Sequence, residues 1–497
     1  MKKTTVFPWY IFFLPLFYIL HIYNDYFGIF NLTIALQFLA YYLLLSIAFF
    51  LVAFLLYRNI AKASILTILV LIFFFFFGAI HDFLKSLRLP SFLVSYTFLL
   101  PLAMLSFIIL IVRLRKTNVS PKVNGFFMYL FILLFFMEAG TTLFYIFSNK
   151  IKSTNPTGNN QLLNPGLEIK DQKQLPDIFF MVFDEYTSSK ALKKYFHFDN
   201  SQLDSSLLKA GFFISTNSQS NYNATSFSIA STFNLQYFNM ALEKTPNNTF
   251  SWMQGAYSFK NSMLPELLEK KGYSIINHGL CDIKNYPTPV EPFFKGYEVN
   301  AMYLQTVWGR IRRDILWNKI KLPGYSKTRP ADKNFINRNK TNYTNFLQEL
   351  SEEADKPKFV FGHVIIPHSP PYVDRYGQPR MLSEKDFGDK KHDTLYLEQV
   401  LFVNTWIDSL AKAATTTVRK RPLVLIIEGD HGNRYAKWGL PIREKQFMNL
   451  NSYYFSDKDY SMLYDSISPV NSFRVVLNKY FQAGLPLLKD STILLTD

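Results

Sequence analysis

The sequence predicts an α-helical domain of five membrane-spanning helices, followed by an α/β domain with a mostly parallel sheet between helices. The chain has 497 residues, more than one hydrophobic core usually organises. Aromatic residues, which include 50 phenylalanines and 30 tyrosines, are concentrated before residue 150, where charged residues are rare. After residue 176, short apolar runs alternate with amphipathic stretches, which is the pattern of strands alternating with helices.

Five apolar segments predict the transmembrane domain over residues 1–148, since each is long enough to cross a bilayer as a helix of about 20 residues. They lie at roughly 6–23, 33–57, 63–81, 92–112 and 125–147. The first segment lacks a small-residue cleavage site, so we interpret it as a retained helix and not as a signal peptide. Glu138 lies inside the fifth segment, where a carboxylate is costly in lipid. A functional role and access to water near the helix end both stay open for Glu138.

The basic residues beside these segments predict the orientation of the chain. The N-terminus and two of the short loops carry Lys2, Lys3, Arg58, Lys62, Arg113, Arg115, Lys116 and Lys122. The alternate loops carry only Lys85 and Arg88. Because basic residues mark the cytoplasmic side, we expect a multi-pass protein of the inner (cytoplasmic) membrane with a cytoplasmic N-terminus. An odd number of spans then places everything after residue 150 in the periplasm or another extracytoplasmic space.

The overall charge and the cysteine count exclude several classes of protein. The net charge is +16, but the sequence has no basic helix with interleaved aromatic residues, so we expect no nucleic-acid partner. Attraction to anionic lipid head groups is a better use of this charge. The single cysteine, Cys281, excludes an internal disulfide and offers no thiolate cluster for a metal.

The second domain is predicted over residues 176–497, after a linker at 149–175 that is rich in Asn, Pro, Gly and Lys. Its clearest elements are a strand at 177–186, a helix near 200–210, a strand at 358–368, a helix near 391–416 and the strand that opens "PLVLIIEGDHG" at 422–432. Strands that alternate with helices predict a mostly parallel sheet covered on both faces.

Polar side chains follow three of the predicted strands. A single such group is as well explained by an ordinary polar turn, but three separate strands with the same ending favour a site. In α/β sheets, ligands bind beyond the carboxyl ends of the strands. The residues at these ends are Asp184, Glu185, His363, His368, Asp430 and His431.

A polar loop leads into a small-residue helix at 220–234, "SNYNATSFSIASTFN". Thr225, Ser228 and Ser231 recur there at helical spacing. A hydroxyl in the first turn of a helix lies near unpaired N–H groups and the positive end of the dipole, which favour an alkoxide or a nearby anion. Thr225 is equally typical of a helix cap, and on this stretch alone the cap is the favoured interpretation.

The order of these segments resembles the alkaline phosphatase/sulfatase superfamily. The features are a strand that ends in an acid, a helix led by Thr225, the segment "PHSPP" and the late "DHG". The resemblance is to membrane-anchored sulfatase-like proteins, alongside phosphoethanolamine transferases of lipid A and lipoteichoic acid synthases. It implies five N-terminal helices and an extracytoplasmic α/β catalytic domain with the alkaline-phosphatase-like fold.

The resemblance also implies roles for individual residues. Thr225 is the expected nucleophile and metal ligand, and His368 is the expected second catalytic residue. The other expected residues are Asp184, Asp430 and His431 as metal ligands, with His363, Tyr372 and Arg375 as substrate-binding residues. Glu185 adjoins Asp184 and stays an alternative ligand.

Two departures from the family pattern narrow the expected chemistry. A threonine cannot form the formylglycine aldehyde that sulfatases use, so Thr225 disfavours sulfate-ester hydrolysis by that route. The transferases place a histidine some residues after "DHG" to bind a second zinc ion. No histidine follows "DHGNRYAKWGLP" in this sequence, which argues against a full second zinc site.

We therefore expect a membrane-bound, metal-dependent phospho-group transferase of the cell envelope, of phosphoethanolamine or phosphoglycerol type, with a phospho-threonine intermediate. Carboxylate, imidazole and alkoxide ligands suit Zn²⁺ or Mn²⁺. The expected partners are a membrane lipid donor and an envelope glycan or lipid acceptor. The alternatives are a sulfatase-family hydrolase of phosphate or sulfate esters, or a catalytically inactive sulfatase-like envelope binding protein. The identities of the donor, the acceptor and the metal stay open, as does the oligomeric state.

Overall fold

The computed structural model describes two compact units. The first comprises the described parts of Met1–Thr154 and Lys295–Pro323, and the second comprises those of Asn155–Phe294 and Gly324–Asp497. The residues described are 8–148, 175–238, 249–290, 292, 295–316, 328–330, 332–383, 389–434 and 443–495. All but the last residue of the predicted linker at 149–175 lies outside them.

The helices and strands have the following bounds. The helices are α1 Tyr10–Asp25, α2 Leu32–Tyr57, α3 Ile60–Ser86, α4 Tyr96–Lys116, α5 Pro121–Ser148, α6 Ser189–Phe196, α7 Ser201–Lys209, α8 Thr225–Asn234, α9 Thr249–Lys260, α10 Met263–Lys270, α11 Lys295–Tyr303, α12 Val307–Ile311, α13 Lys333–Ser351, α14 Asp389–Thr416 and α15 Pro469–Phe481. The strands are β1 Asp177–Phe183, β2 Phe213–Ile214, β3 Ser274–His278, β4 Thr328–Pro330, β5 Lys358–Val364, β6 Met381–Ser383, β7 Leu423–Glu428 and β8 Asn451–Phe455.

The first unit is built on the five N-terminal helices. Among the described residues, α2, α3, α4 and α5 are long and apolar enough to cross a membrane. Helix α1 has 16 residues, fewer than the roughly 20 that a span perpendicular to the bilayer needs. The side chains of Asn31 and Asn59 accept backbone N–H groups at the starts of α2 and α3, which fixes where these helices begin.

Glu138 of α5 is paired with side chains of α1. His21 Nδ1 lies 2.8 Å from Glu138 Oε1, and Asn24 Nδ2 donates to Oε2 at 2.7 Å. Thr142 completes the group by donating to Asn24 Oδ1 at 2.8 Å. These contacts supply Glu138 with the polar partners that a carboxylate between apolar helices requires.

Helices α11 and α12 also belong to the first unit, although the sequence analysis includes them in the second domain at 176–497. The hydroxyls of Tyr18 and Tyr42 donate to the carbonyl oxygen of Met302 in α11, at 3.3 and 2.9 Å. In α12, Arg310 is buried and makes a two-pronged ion pair with Asp82 of α3. The segment thus contributes buried polar contacts to the N-terminal helices.

The second unit contains a six-stranded sheet with the order β2-β8-β7-β1-β5-β3. Strands β7, β1, β5 and β3 are parallel, whereas β8 and β2 continue the sheet in antiparallel pairing at one edge. The mostly parallel α/β arrangement that the sequence predicts is therefore present. The carboxyl ends of β1, β5 and β7 meet at the same edge of the sheet.

Helices cover both faces of this sheet at β1. Every residue of β1 and β7 is buried, which is why both strands read as continuous apolar runs in the sequence. Phe179 packs its ring against Phe346 of α13, while the next residue, Phe180, packs against Phe473 of α15 on the opposite face. This packing holds the central strands rigidly beneath the residues that follow them.

Candidate metal centre

Three elements of the second unit bring functional side chains to the carboxyl edge of the sheet. Asp184 follows the last residue of β1, and its N–H donates to Val364 O at 2.9 Å, which continues the parallel ladder. Asp430 and His431 follow β7, the neighbouring strand. Thr225 is the first residue of α8, a helix whose residues are all buried.

Two glycines allow the turn after β7 to approach the rest of the unit closely. A Cβ atom on Gly429 would lie 2.1 Å from Tyr186 O, and one on Gly432 would lie 2.1 Å from Lys445 O. Both contacts are with backbone atoms, which cannot rotate away. The pattern Gly-Asp-His-Gly is therefore a packing requirement that fixes Asp430 and His431 against the end of β1.

The side chains of Asp184, Asp430 and His431 converge. One ligand atom from each lies within 4.8 Å of the others. His431 Nε2 is 3.6 Å from Asp184 Oδ1 and 3.5 Å from Asp430 Oδ2. Thr225 Oγ1 lies beside them, 3.4 Å from His431 Nε2 and 3.5 Å from Asp184 Oδ2. All four residues are at most 5% exposed.

The hydrogen bonds of this group to the backbone involve other atoms than the three that could bind a cation, which are His431 Nε2, Asp430 Oδ2 and Asp184 Oδ1. His431 Nδ1 donates to Gly432 O at 2.8 Å, so Nε2 carries the lone pair. Asp430 Oδ1 accepts the N–H groups of Glu185 and His431, each at 2.9 Å. Asp430 Oδ2 and Asp184 Oδ1 accept no hydrogen bond from the described residues. Buried carboxylate oxygens without donors are costly, and a divalent cation removes that cost.

The pKa shifts of these residues also favour a bound cation. Burial and then the charge of Asp430 raise the pKa of Asp184 well above its ordinary value. Burial and then Asp430 also raise the pKa of Glu428, at the end of β7. Burial lowers the pKa of His431 well below its ordinary value, which keeps the ring neutral as a metal ligand must be. The donor set of two carboxylates, an imidazole and a hydroxyl could hold zinc or manganese.

Glu185 lies next to Asp184 but faces different partners. Its φ of +63° is in the left-handed region, and its Oε1 accepts the backbone N–H of Arg434. Its Oε2 is 3.7 Å from His368 Nε2. The carboxylate beside Thr225 and His431 is therefore that of Asp184.

His363 and His368 both lie at the site. His363 Nε2 is 3.7 Å from Asp184 Oδ2, and neither ring nitrogen has a hydrogen-bond partner among the described residues. Burial lowers the pKa of His363 to about 4, so the ring is neutral at pH 7. The ring of His368 is 6.4 Å from that of His431, between centroids.

Tyr372 and Arg375 make their described contacts away from this group. The ring of Tyr372 lies 4.4 Å from that of Phe335, in α13. Arg375 is exposed, and its Nε donates to Glu398 Oε1 at 2.8 Å, in α14. The role of both residues in substrate binding stays a prediction.

The structure places at the site three residues that the sequence does not mark as functional. Ser228 Oγ, one turn after Thr225, donates to the carbonyl oxygen of Asp430. Glu428 is fully buried beside Asp430, and Arg434 contacts His368. The helical spacing of Thr225 and Ser228 could have indicated the first of these, since both side chains then lie on one face of α8.

Several solved structures are similar to this chain at low sequence identity. The C-terminal periplasmic domain of EcEptC from Escherichia coli, in complex with zinc, is 12% identical with a TM-score of 0.41, over 66% of this chain and 90% of that one. The corresponding domain of the phosphoethanolamine transferase EptC from Campylobacter jejuni is 14% identical with a TM-score of 0.38, over 62% and 90%. The soluble domain of lipooligosaccharide phosphoethanolamine transferase A from Neisseria meningitidis is 14% identical with a TM-score of 0.38, over 62% and 88%.

No curated protein matches the chain. A family model, however, matches more than half of it. Residues 186–465 match the model of the family described as Sulfatase. This match includes Thr225, His363, His368, Asp430 and His431, and it spans more than half of the 497 residues. The chain belongs to the sulfatase family, within the alkaline phosphatase/sulfatase superfamily.

Proposed function

We propose that this protein is a membrane-bound, metal-dependent phospho-group transferase of the cell envelope that acts through Thr225. The observation that supports this function is the position of Thr225 Oγ1, buried at the start of α8 and 3.4 Å from His431 Nε2. A hydroxyl against three candidate metal ligands is suited to covalent catalysis. Phosphoethanolamine and phosphoglycerol are the group types that we propose it transfers.

Asp184, Asp430, His431 and Thr225 would hold the metal ion, zinc or manganese. When bound, it supplies the positive charge that lowers the pKa of the Thr225 hydroxyl and neutralises charge on the phosphoryl group. The chain itself supplies the neutral tautomer of His431, which Gly432 O fixes, and the position of Asp430, which two backbone N–H groups fix.

The reaction has two displacements. Thr225 Oγ1, after its proton leaves to water, forms a bond to phosphorus as the bond from phosphorus to the lipid oxygen breaks. The lipid oxygen takes a proton from water, and the group is held as phospho-threonine. An acceptor hydroxyl then forms a bond to phosphorus as the bond from phosphorus to Thr225 Oγ1 breaks, and Thr225 Oγ1 takes a proton from water. His368 Nε2 is the base that takes the acceptor's proton, since Nδ1 faces the carbonyl oxygen of Ser369.

The membrane helices support a lipid donor and an envelope glycan or lipid acceptor. We propose that α1 spans the membrane together with α2 to α5, giving five spans in the inner membrane. The cytoplasmic charge bias then places the N-terminus inside and the second unit in the periplasm.

Replacing Thr225 tests this function directly. Thr225→Ala should retain the bound metal, by elemental analysis, and lower turnover by several orders of magnitude, as loss of a nucleophile does elsewhere. Thr225→Ser keeps a hydroxyl at the same position and should retain measurable activity. Turnover of Thr225→Ala at the wild-type rate would remove Thr225 from the mechanism.

The choice of substrate separates transfer from hydrolysis. The purified full-length protein should modify an acceptor only when a membrane lipid donor is supplied. Release of inorganic phosphate or sulfate from a soluble ester, without lipid, would instead assign the protein as a hydrolase of the same family. Absence of both reactions from metal-loaded protein would support a binding role.

A further inference from the structure

Arg434 lies at the edge of the candidate metal centre, three residues after His431. Its backbone N–H donates to Glu185 Oε1, and its guanidinium donates to His368 Nε2 at 2.8 Å. The side chain is neither fully buried nor exposed. Two contacts from different elements, β1's end and the segment after β5, therefore fix both the backbone and the head group of Arg434.

The contact between Arg434 and His368 constrains the proton on the imidazole. His368 Nδ1 faces Ser369 O, which can only accept a hydrogen bond, so Nδ1 carries the proton. Nε2 then accepts from the guanidinium. This bond uses one of the five N–H groups of Arg434.

The head group of Arg434 lies near the candidate metal ligands. It contacts His368 Nε2 at 2.8 Å, and the ring of His368 is 6.4 Å from that of His431, between centroids. The guanidinium is therefore close to the place where the reacting group must sit.

A charge count explains why such a residue is needed. The two charges of a divalent ion are matched by the carboxylates of Asp184 and Asp430, and the buried carboxylate of Glu185 adds one more negative charge beside them. A transferred phosphate group adds negative charge, which must be balanced for transfer to be fast. No histidine follows His431 in the sequence, so this part of the chain offers no imidazole for a second ion. A guanidinium is suited to phosphate because its planar fork donates two parallel hydrogen bonds.

We propose that Arg434 binds the oxygen atoms of the phosphate group beside the candidate metal ligands. The Glu185 carboxylate positions the backbone of Arg434, and the guanidinium passes from His368 Nε2 to the phosphate, which frees that nitrogen to act as the base. This inference rests on the proposed function and assigns the charged partner of the transferred group. The site then works with one metal ion and one arginine.

Binding of inorganic phosphate to the zinc-loaded, full-length protein tests the proposal, measured by titration calorimetry in detergent. Arg434→Ala should raise the Kd for phosphate by about 10- to 100-fold, the loss expected for charge-assisted hydrogen bonds. Arg434→Lys keeps the charge but not the fork, and should give a smaller loss. Lys412→Ala, which removes an exposed positive charge from α14, is the matched control and should bind phosphate like the wild type.

Zinc content and melting temperature, measured on the same samples, distinguish a phosphate ligand from a structural residue. The expected result is one zinc ion per chain and an unchanged melting temperature in the wild type and Arg434→Lys. Wild-type phosphate affinity in Arg434→Ala would overturn the proposal. So would loss of zinc from both Arg434 variants, or a second zinc ion that is lost in His368→Ala.

The phosphate titration does not depend on turnover, so it separates this inference from the proposed function. The titration compares Arg434→Ala with the wild type, so Thr225 and the other proposed metal ligands are the same in both proteins. If Thr225 never carries the group during turnover, the proposed function fails while the phosphate site stands. If the Kd for phosphate is the same in Arg434→Ala and the wild type while Thr225 carries the group during turnover, only this inference fails.

Discussion

Asp184 and Glu185 show how two adjacent acids acquire different partners. The left-handed backbone at Glu185 turns the chain directly after β1, with a φ of +63°. The carboxylate of Asp184 stays within 3.6 Å of His431 Nε2, while that of Glu185 pairs with Arg434 N and lies 3.7 Å from His368. Neighbouring positions in the sequence therefore contact different partners.

This difference predicts unequal effects on metal binding. Asp184→Asn removes a charged ligand and should weaken zinc binding by more than about 100-fold, beyond the usual cost of losing an outer-shell partner. Glu185→Gln keeps the size and one acceptor oxygen, and should weaken it by about tenfold or less. Competition with a fluorescent chelator measures both affinities. Equal losses would show that the two carboxylates share the ion.

The sequence located the residues at strand ends but not all of their partners. Asp184, Asp430 and His431 could be predicted from the sequence because strands of a parallel sheet present their carboxyl ends together. Arg434 lies only three residues after His431, yet its contact with His368 depends on a fold that joins residues 66 positions apart. No local pattern specifies such a pair. The alternative between Asp184 and Glu185 also needed the φ angle of Glu185, which sequence does not reveal.

At the scale of elements, the turn between β7 and the following segment is the most constrained part of the site. Gly432 has no left-handed φ, so its lack of a side chain is required by space alone. Gly484 presents the contrasting case, with a φ of +63° and open space around the missing Cβ. A side chain at Gly432 would therefore meet crowding without backbone strain, and one at Gly484 would meet backbone strain without crowding.

Alanine at Gly432 should destabilise the second unit more than alanine at Gly484. Overpacking against Lys445 O is expected to cost about 3 kcal/mol, while the left-handed φ at Gly484 costs about 1 kcal/mol. For a unit of this size the first corresponds to a fall in Tm of roughly 5 °C or more. Thermal unfolding of the full-length protein in detergent measures both. A smaller fall for Gly432→Ala than for Gly484→Ala would contradict the packing argument.

Elements with strong periodicity were predictable, and those defined by distant contacts were not. The apolar runs of β1, β5 and β7 and the long helix α14 lie close to their predicted positions because each carries its own pattern. Helices α11 and α12 are short, and nothing in their own sequence shows that Arg310 pairs with Asp82. Their place beside the N-terminal helices could only come from the structure.

At the scale of the whole molecule, the charge bias of the loops predicts the orientation in the membrane. Ser91 lies between α3 and α4, and Asn118 lies between α4 and α5. Both are exposed, while the native Cys281 is buried and should react slowly. These two positions can therefore carry reporter cysteines on opposite sides of the bilayer.

In intact cells with a permeabilised outer envelope, Ser91→Cys should react with a membrane-impermeant maleimide and Asn118→Cys should not. Breaking the inner membrane should make Asn118→Cys reactive as well. Labelling with the opposite preference would invert the orientation and move the second unit into the cytoplasm. Equal labelling of both before lysis would rule out a span between them.

Intact-mass analysis of the purified protein, after incubation with envelope lipids and without acceptor, tests most directly that Thr225 carries the transferred group. Wild-type protein should gain the mass of one phospho-group, and fragmentation should place it on Thr225. Thr225→Ala should gain nothing, and addition of acceptor should return the wild type to its original mass. A protein that transfers the group while Thr225 stays unmodified, or that carries it on another residue, would contradict this mechanism.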